Sequence, residues 1–400
     1  MNIDNLVFID NSVFFTKPKD LERVIDPIGT DELCNEIADL LIPNITDRSN
    51  NPIEFVHFLF SVEVASKLEH LDIDKLKIIN LYEKIAKIYW TQNKISYSSI
   101  GKKTIKEFID NHNGDKIRQS KLNSLNINNL REQGIVGTYL VPSRKSGFLK
   151  DDRLELNEVD KLRFSTDIIN QAIDIIESKN IDIESFKKID DYLKRFQKSV
   201  VRIIFDKYKN SKAYKYALLV DSDEPFKNLD KNLKKIKDQK YVDLVKSAIV
   251  IKTFCENLIK YFDLKVKSSI DEEKKNKKIS IVKEKKKRKV LKELKGKILK
   301  NKNRVKNILT RYSNELIYAK YFIDFLKNLN INNFDKNLFK LHKLVMEKRN
   351  KEKLLINDKY KVEVTYENDY IQSLKNKKEY EYDLRWRSVY KLKKGTRWKS

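Results

Sequence analysis

The chain has 400 residues, with 84 Lys or Arg against 58 Asp or Glu, a formal net charge of +26, and only eight glycines and six prolines. That length allows two or three domains around a large core, and so few turn-forming residues argue for a mostly α, multi-helical protein rather than a sheet. No apolar run approaches membrane-spanning length, which excludes a helical membrane protein.

The opening residues carry Asp4 and Asp10 where a signal peptide has a basic segment before a long apolar run, so a cytoplasmic location away from membranes is expected. LVFIDNSVFF reads as a strand or a short buried helix. Pro27-Ile28-Gly29 is a turn, after which Thr30 caps a helix carrying Leu33, Ile37, Leu40 and Leu41 on one face. Asn51-Pro52-Ile53-Glu54 is a strong helix start, with Asn as cap, Pro in the first turn and Glu at the third position. The next helix, EFVHFLFSVEVASKL, is apolar almost all round and is expected at the centre of the N-terminal core. His57 within it is expected as a satisfied core residue, since no second His or Cys recurs at ligand spacing. Helical periodicity continues from Asp74 to Trp90.

Residues 101–165 hold the main patch of turn chemistry. Thr104–Asn111, Asn126–Gln133 and Val136–Lys145 each carry apolar residues at helical spacing, with Pro142 placing the start of the third in doubt. Gly147–Lys150, Asp151-Asp152 and Arg153–Leu156 read as two short strands and an acidic turn, and Asn157 as the cap of a helix over Glu158–Phe164. This order suggests an embedded winged helix-turn-helix, with Arg144, Lys145, Lys150 and Arg153 placed to meet a duplex. The alternative is a small protein-interaction module.

Ser165–Glu177 and Ile183–Tyr208 are amphipathic. KYALLVDSDEP (Lys215–Pro225) ends an apolar run on Asp221, Asp223 and Glu224, the kind of acidic strand end that holds Mg²⁺ in nucleases. A helix end with an acidic loop explains it as well, because no companion glutamate motif precedes it, and no metal site or cofactor is expected. The two cysteines, Cys34 and Cys255, lie on apolar helical patterns without zinc-ligand spacing and are expected to be reduced core residues.

Location sharpens the meaning of the charge. From Lys274 to Lys306 there are 17 Lys or Arg and two acids, which leaves +11 for the other 367 residues. Lys265–Lys278 reads as a loop. From about 283 to 328 a long helix is expected, with Leu291, Leu294, Ile298, Val305 and Ile308 on an apolar seam and Asn301 interrupting it. Lys285, Lys286, Lys287, Arg288, Lys289, Lys292, Lys295 and Arg304 would supply phosphate-backbone contacts from such a basic helical arm. KYKVEVTYENDY (Lys359–Tyr370) alternates like a strand, but Glu363 lacks the lysine of a nuclease Glu-x-Lys pair. The final stretch, Asp383–Ser400, interleaves Trp386, Tyr390 and Trp398 with Arg385, Arg387, Lys393 and Arg397, a pattern suited to bases and phosphates. Docking of the tail onto the body is the stronger expectation for Trp386. These readings divide the chain into segments 1–100, 101–165, 166–263, 264–330 and 331–400.

The run Asp26-Pro27-Ile28-Gly29, a helix, Leu41-Ile42-Pro43-Asn44-Ile45-Thr46-Asp47-Arg48 and then an apolar helix resembles the opening of a group of proteins encoded in bacterial anti-phage defence islands. That group shows a DPxG turn and an LPGLT-N/D-R loop; Asn44 stands here where the group has glycine. Gly134–Asn157 is similar to its winged-helix-like segment, and Tyr380–Lys391 to its Tyr/Arg-rich C-terminal strand. The resemblance implies an accessory subunit of a defence complex that senses or scaffolds. Together these readings point to a protein that binds nucleic acid, double-stranded DNA foremost, alongside other subunits. A metal-dependent nuclease using Asp221 and Asp223 and a scaffold without nucleic acid are the alternatives.

Overall fold

The computed structural model describes residues 26–46, 48–69, 74–97, 101–112, 116–127, 130, 134–150, 153–157, 162–206, 211–273, 281–327, 329–348 and 382–397, without the side chains of 206, 269–273 and 281–284. The N-terminal segment expected as a strand or short buried helix and the expected strand at Lys359–Tyr370 lie outside these residues, as do most of the expected helix at Asn126–Gln133 and Trp398. The protein is mostly helical, and no described helix is long and apolar enough to cross a membrane. Over the described residues it forms two compact units, each discontinuous in sequence: 42–235 with 385–397, and 26–41 with 236–384.

In the first unit the helices are α2 (Pro52–Lys67), α3 (Lys75–Gln92), α4 (Lys102–Asp110), α5 (Gln119–Ser124), α6 (Ile135–Lys145), α7 (Thr166–Glu177), α8 (Phe186–Leu193), α9 (Gln197–Asp206), α10 (Lys212–Leu219), α11 (Leu229–Leu233) and α16 (Trp386–Thr396). Strand β1 (Lys116–Arg118) pairs antiparallel with β2 (Asn180–Asp182), Ile117 opposite Ile181. The central helix is α2, as its all-round apolar sequence predicts. Asn51 accepts from the Ile53 amide at 3.2 Å and donates to Glu54 Oε1 at 2.8 Å, with Pro52 in the first turn. Phe55, Val56, Phe58, Leu59, Phe60 and Val62 are all buried.

His57 is buried with them, and its ring joins three helices. The Asp190 carboxylate on α8 receives His57 Nε2 at 3.1 Å and Trp90 Nε1 at 2.8 Å, with Lys194 Nζ 2.8 Å away. An ionised carboxylate only accepts, so the His57 proton sits on Nε2, and Nδ1 accepts from the Tyr82 hydroxyl at 2.6 Å. Burial lowers the His57 pKa against the pull of Asp190, which favours the neutral ring. Burial opposes the charge on Asp190, yet hydrogen bonds from His57, Lys194 and Trp90 hold its carboxyl far below the usual range.

A second buried pair fixes α6. Lys87 Nζ lies 2.9 Å from Glu83 Oε1, which also accepts from the Ile135 amide at 3.0 Å. A Cβ at Gly134 would stand 2.6 Å from the Glu83 carboxylate and closer still to the Leu130 carbonyl. Glycine is therefore required where this carboxylate meets the start of α6. The sequence raises doubt about Pro142 as a helix-interior residue, yet α6 begins at Ile135 and carries it. Leu149 and Leu156 form an antiparallel bridge, with Lys150 N donating to Glu155 O at 3.0 Å and Asn157 N to Phe148 O at 2.8 Å. Asn157 also donates its side-chain amide to the Gly147 and Leu149 carbonyls, so it ties these two segments together. Residues 162–165 are not helical, and 158–161 lie outside the described residues.

The second unit comprises α1 (Thr30–Leu41), α12 (Gln239–Glu273), α13 (Ile281–Arg311), α14 (Ala319–Lys327) and α15 (Phe334–Lys348). The Pro27–Gly29 turn is present, with Gly29 at φ +77°. Asp26 caps α1, accepting from Thr30 Oγ1 at 3.0 Å and the Asp31 amide at 2.7 Å. α12 runs unbroken to Glu273, through residues whose composition suggests a loop. No glycine or proline occurs between Pro225 and Gly296 to stop it, and Val266 is buried. α13 ends at Arg311, short of the 328 expected from periodicity, and a turn across Ser313 and Asn314 leads to α14. Cys34 and Cys255 are buried free thiols.

The Asp190 cluster makes a direct prediction. Asp190→Ala strands the His57 Nε2–H and Trp90 Nε1–H donors in the core, at a cost of about 3–5 kcal/mol. Urea unfolding of the variant measures this, and a loss below about 1 kcal/mol would mean the network is peripheral to stability.

Candidate nucleic-acid interface

Charge and exposure single out α13. Leu294, Ile298, Val305, Ile308 and Leu309 are buried where α13 packs on α12 and α14. Four of the five seam residues expected from the sequence are among them, while Leu291 is half-buried and Leu309 joins the seam. Asn301 within it turns its amide back to the Lys297 carbonyl at 2.9 Å. Lys285, Lys286, Arg288, Lys289, Lys292, Lys297, Lys300 and Arg304 are exposed. No described carboxylate forms an ion pair with Lys285, Lys286, Lys289, Lys292, Lys300 or Arg304. Glu293 is the exposed acid among them. From Lys285 to Arg304 the helix rises about 28 Å, so the cations form a continuous line roughly three Debye lengths long at physiological salt.

Two residues expected on this face are placed differently. Lys287 is half-buried, and the Lys295 ammonium lies 5.1 Å from the centroid of the Phe334 ring. That cation–π contact directs Lys295 toward the unit's own α15.

The other candidate cations belong to the first unit. Arg144 is half-buried on α6, while Lys145, Lys150 and Arg153 are exposed around the Leu149–Leu156 bridge. Lys150 is engaged with Glu155 at 2.7 Å, which neutralises part of its charge.

The C-terminal basic stretch has a mainly structural role. Trp386 is fully buried and donates Nε1 to the Ser222 carbonyl at 2.7 Å, which matches its expected docking role. Arg385 is 6% exposed and donates to the Ile42 carbonyl at 2.9 Å, so it is not available to a phosphate. Lys393 donates to the Ala217 carbonyl at 2.7 Å and also to Val220 O, closing the C-terminal end of α10. Burial lowers its pKa to about 8 despite Asp221 nearby. Arg387 and Arg397 remain exposed. The carbonyl contacts of Arg385 and Lys393 cross long sequence distances and leave no local pattern to read.

The acidic loop after α10 holds its own hydrogen bonds. Burial works against the charge on Asp221, but hydrogen bonds from Asn232 and Asn228, the latter at 3.2 Å, keep its carboxyl below the usual range. Glu224 pairs with Lys227 at 2.9 Å. Among the described residues no group of three or more His, Cys, Asp or Glu could hold a metal ion.

No protein-family model, no curated protein and no solved structure matches this chain.

Lys393 gives the C-terminal helix a pH signature. Its folded pKa of about 8 lies below the 10.5 of an unperturbed lysine, so between these values the unfolded chain binds more protons and stability rises with pH. Lys393→Met is expected to remove that rise, on the order of 1–2 kcal/mol after solvent screening. Thermal melts of both proteins from pH 7.5 to 10 measure the difference, and parallel curves would refute it.

Proposed function

We propose that this protein binds nucleic acid, double-stranded DNA foremost, chiefly through the phosphate backbone, as a sensing or scaffolding subunit of a bacterial anti-phage defence complex. The observation that carries the binding reading is the line of exposed cations on α13, held outward by an apolar seam, six of them without a described acidic partner. A solvated helix face ordinarily mixes both signs in similar numbers, whereas this one sets eight exposed cations against the single acid Glu293 among the described residues, and such an excess attracts a polyanion.

The winged helix-turn-helix reading of 101–165 supplies a second contact in this proposal. Its support is α4 and α6, which match the first and third of its expected helices, and the bridged Leu149 and Leu156 segments, with exposed Lys145 and Arg153 around them. Phosphate contacts of this kind position a protein on a duplex without reading its sequence. The defence setting rests on the resemblance of the DPxG turn and the loop from Leu41 to Arg48.

Titration of the purified protein with duplex and single-stranded DNA and RNA across a salt series tests the proposal. Affinity for duplex DNA is expected to fall steeply with salt, and replacement of Lys285, Lys286, Lys287, Arg288 and Lys289 by Gln to lower the log–log slope by about 2–4. An unchanged slope and affinity would sink the phosphate reading and favour a scaffold that works without nucleic acid. Mg²⁺-dependent cleavage lost in Asp221→Ala would instead restore the nuclease alternative.

A further inference from the structure

Gly296 stands at the centre of α13 and of its basic face. Lys292 and Lys300 are four residues away on either side, and Lys289 and Arg304 seven and eight, so all share its face. All four cations and the glycine are exposed. A Cβ at Gly296 would meet no atom within 4 Å, and its φ is outside the left-handed region. Other glycines of this chain serve the fold: Gly29, Gly101 and Gly147 adopt positive φ, and Gly134 is pressed against Glu83. At Gly296 no such need exists, and a glycine in an open helix interior weakens the helix relative to alanine. Only eight glycines occur in 400 residues, which makes its placement here the more telling.

A glycine on an open, cation-lined helix face offers bare main chain to a partner, at some cost in helix stability. Bare main chain at Gly296 leaves a notch between Lys292 and Lys300, whose backbones are about 12 Å apart along the axis. Long ammonium side chains border that notch, and a strand of sugar and phosphate resting in it is held from both sides. Glu293, exposed and three residues before the glycine, is the carboxylate of α13 on that border among the described side chains.

We infer that Gly296 is the seat where one sugar–phosphate backbone of a DNA duplex crosses α13 in contact with the helix main chain, with Lys292 and Lys300 on flanking phosphates. The inference rests on the phosphate-binding reading and turns a diffuse attraction into a contact of fixed position.

Fluorescence anisotropy with a 25-base-pair duplex at fixed salt, paired with thermal melts, tests it on the full chain. Gly296→Ala is expected to raise Tm and weaken binding several-fold, and Gly296→Leu to weaken it tenfold or more without lowering Tm. Gly296→Lys, which adds a cation at the centre of the face, is expected to bring no gain in affinity. Tighter binding by Gly296→Lys overturns the seat, because a diffuse field rewards any added charge. Wild-type affinity in Gly296→Leu, alongside a large loss when Lys289, Lys292 and Lys300 become Gln, overturns the seat but keeps the phosphate reading. No effect from either set removes the phosphate reading itself. Poly-glutamate binding that matches DNA and ignores the glycine variants would assign the face to an acidic protein and overturn the inference.

Discussion

The first unit depends on where one carboxylate is buried. Asp190 accepts from His57 on α2 and Trp90 on α3, and lies beside Lys194 at the end of its own helix. An ionised group in a core is tolerated only when several donors reach it. Here the requirement fixes the relative placement of α2, α3 and α8 within narrow limits, because each donor has one geometry that works. It also fixes the tautomer of His57 and thereby the Tyr82 hydrogen bond. His57, Asp190 and Tyr82 resemble the parts of a proton relay, yet all three are sealed from solvent. Their chemistry is spent on holding helices together.

In the second unit the governing balance is between packing and charge. The lysines of α13 repel one another along its exposed face, at a few tenths of a kcal/mol per i,i+4 pair. Each buried aliphatic residue of the seam contributes about 1.5–3 kcal/mol, and Leu294, Ile298, Val305 and Leu309 are nearly or fully buried. Packing therefore wins by a wide margin, and the chain keeps a concentration of like charge that its own fold does not need. That surplus carries the nucleic-acid reading more firmly than the total charge does.

What could be read from the sequence was local. The Asn51-Pro52-Glu54 start of α2, the Pro27–Gly29 turn, the seam of α13 and the core placement of His57 all come from spacing within a turn or two. What could not be read was decided at a distance. The continuation of α12 past Lys265 depends on burial of Val266, and the fate of the C-terminal cations depends on carbonyls at Ile42, Ala217 and Val220. Arg385, Lys393 and Lys295 look identical in sequence to exposed lysines and arginines. Only their distant partners separate structural cations from those that face solvent.

Both units are interrupted in sequence, and the interruption bears on how the protein is made. The first unit receives α16, with Trp386 filling its core and Lys393 closing α10, only after the intervening residues 236–384 have been synthesised. At about 5–20 residues per second, that segment separates the two parts by roughly 7–30 s. Through that interval Tyr216 and Phe226, the aromatic neighbours of Trp386, are already synthesised while Trp386 is not. Completion of this core is thus a late event on the ribosome, timed by the synthesis of the other unit.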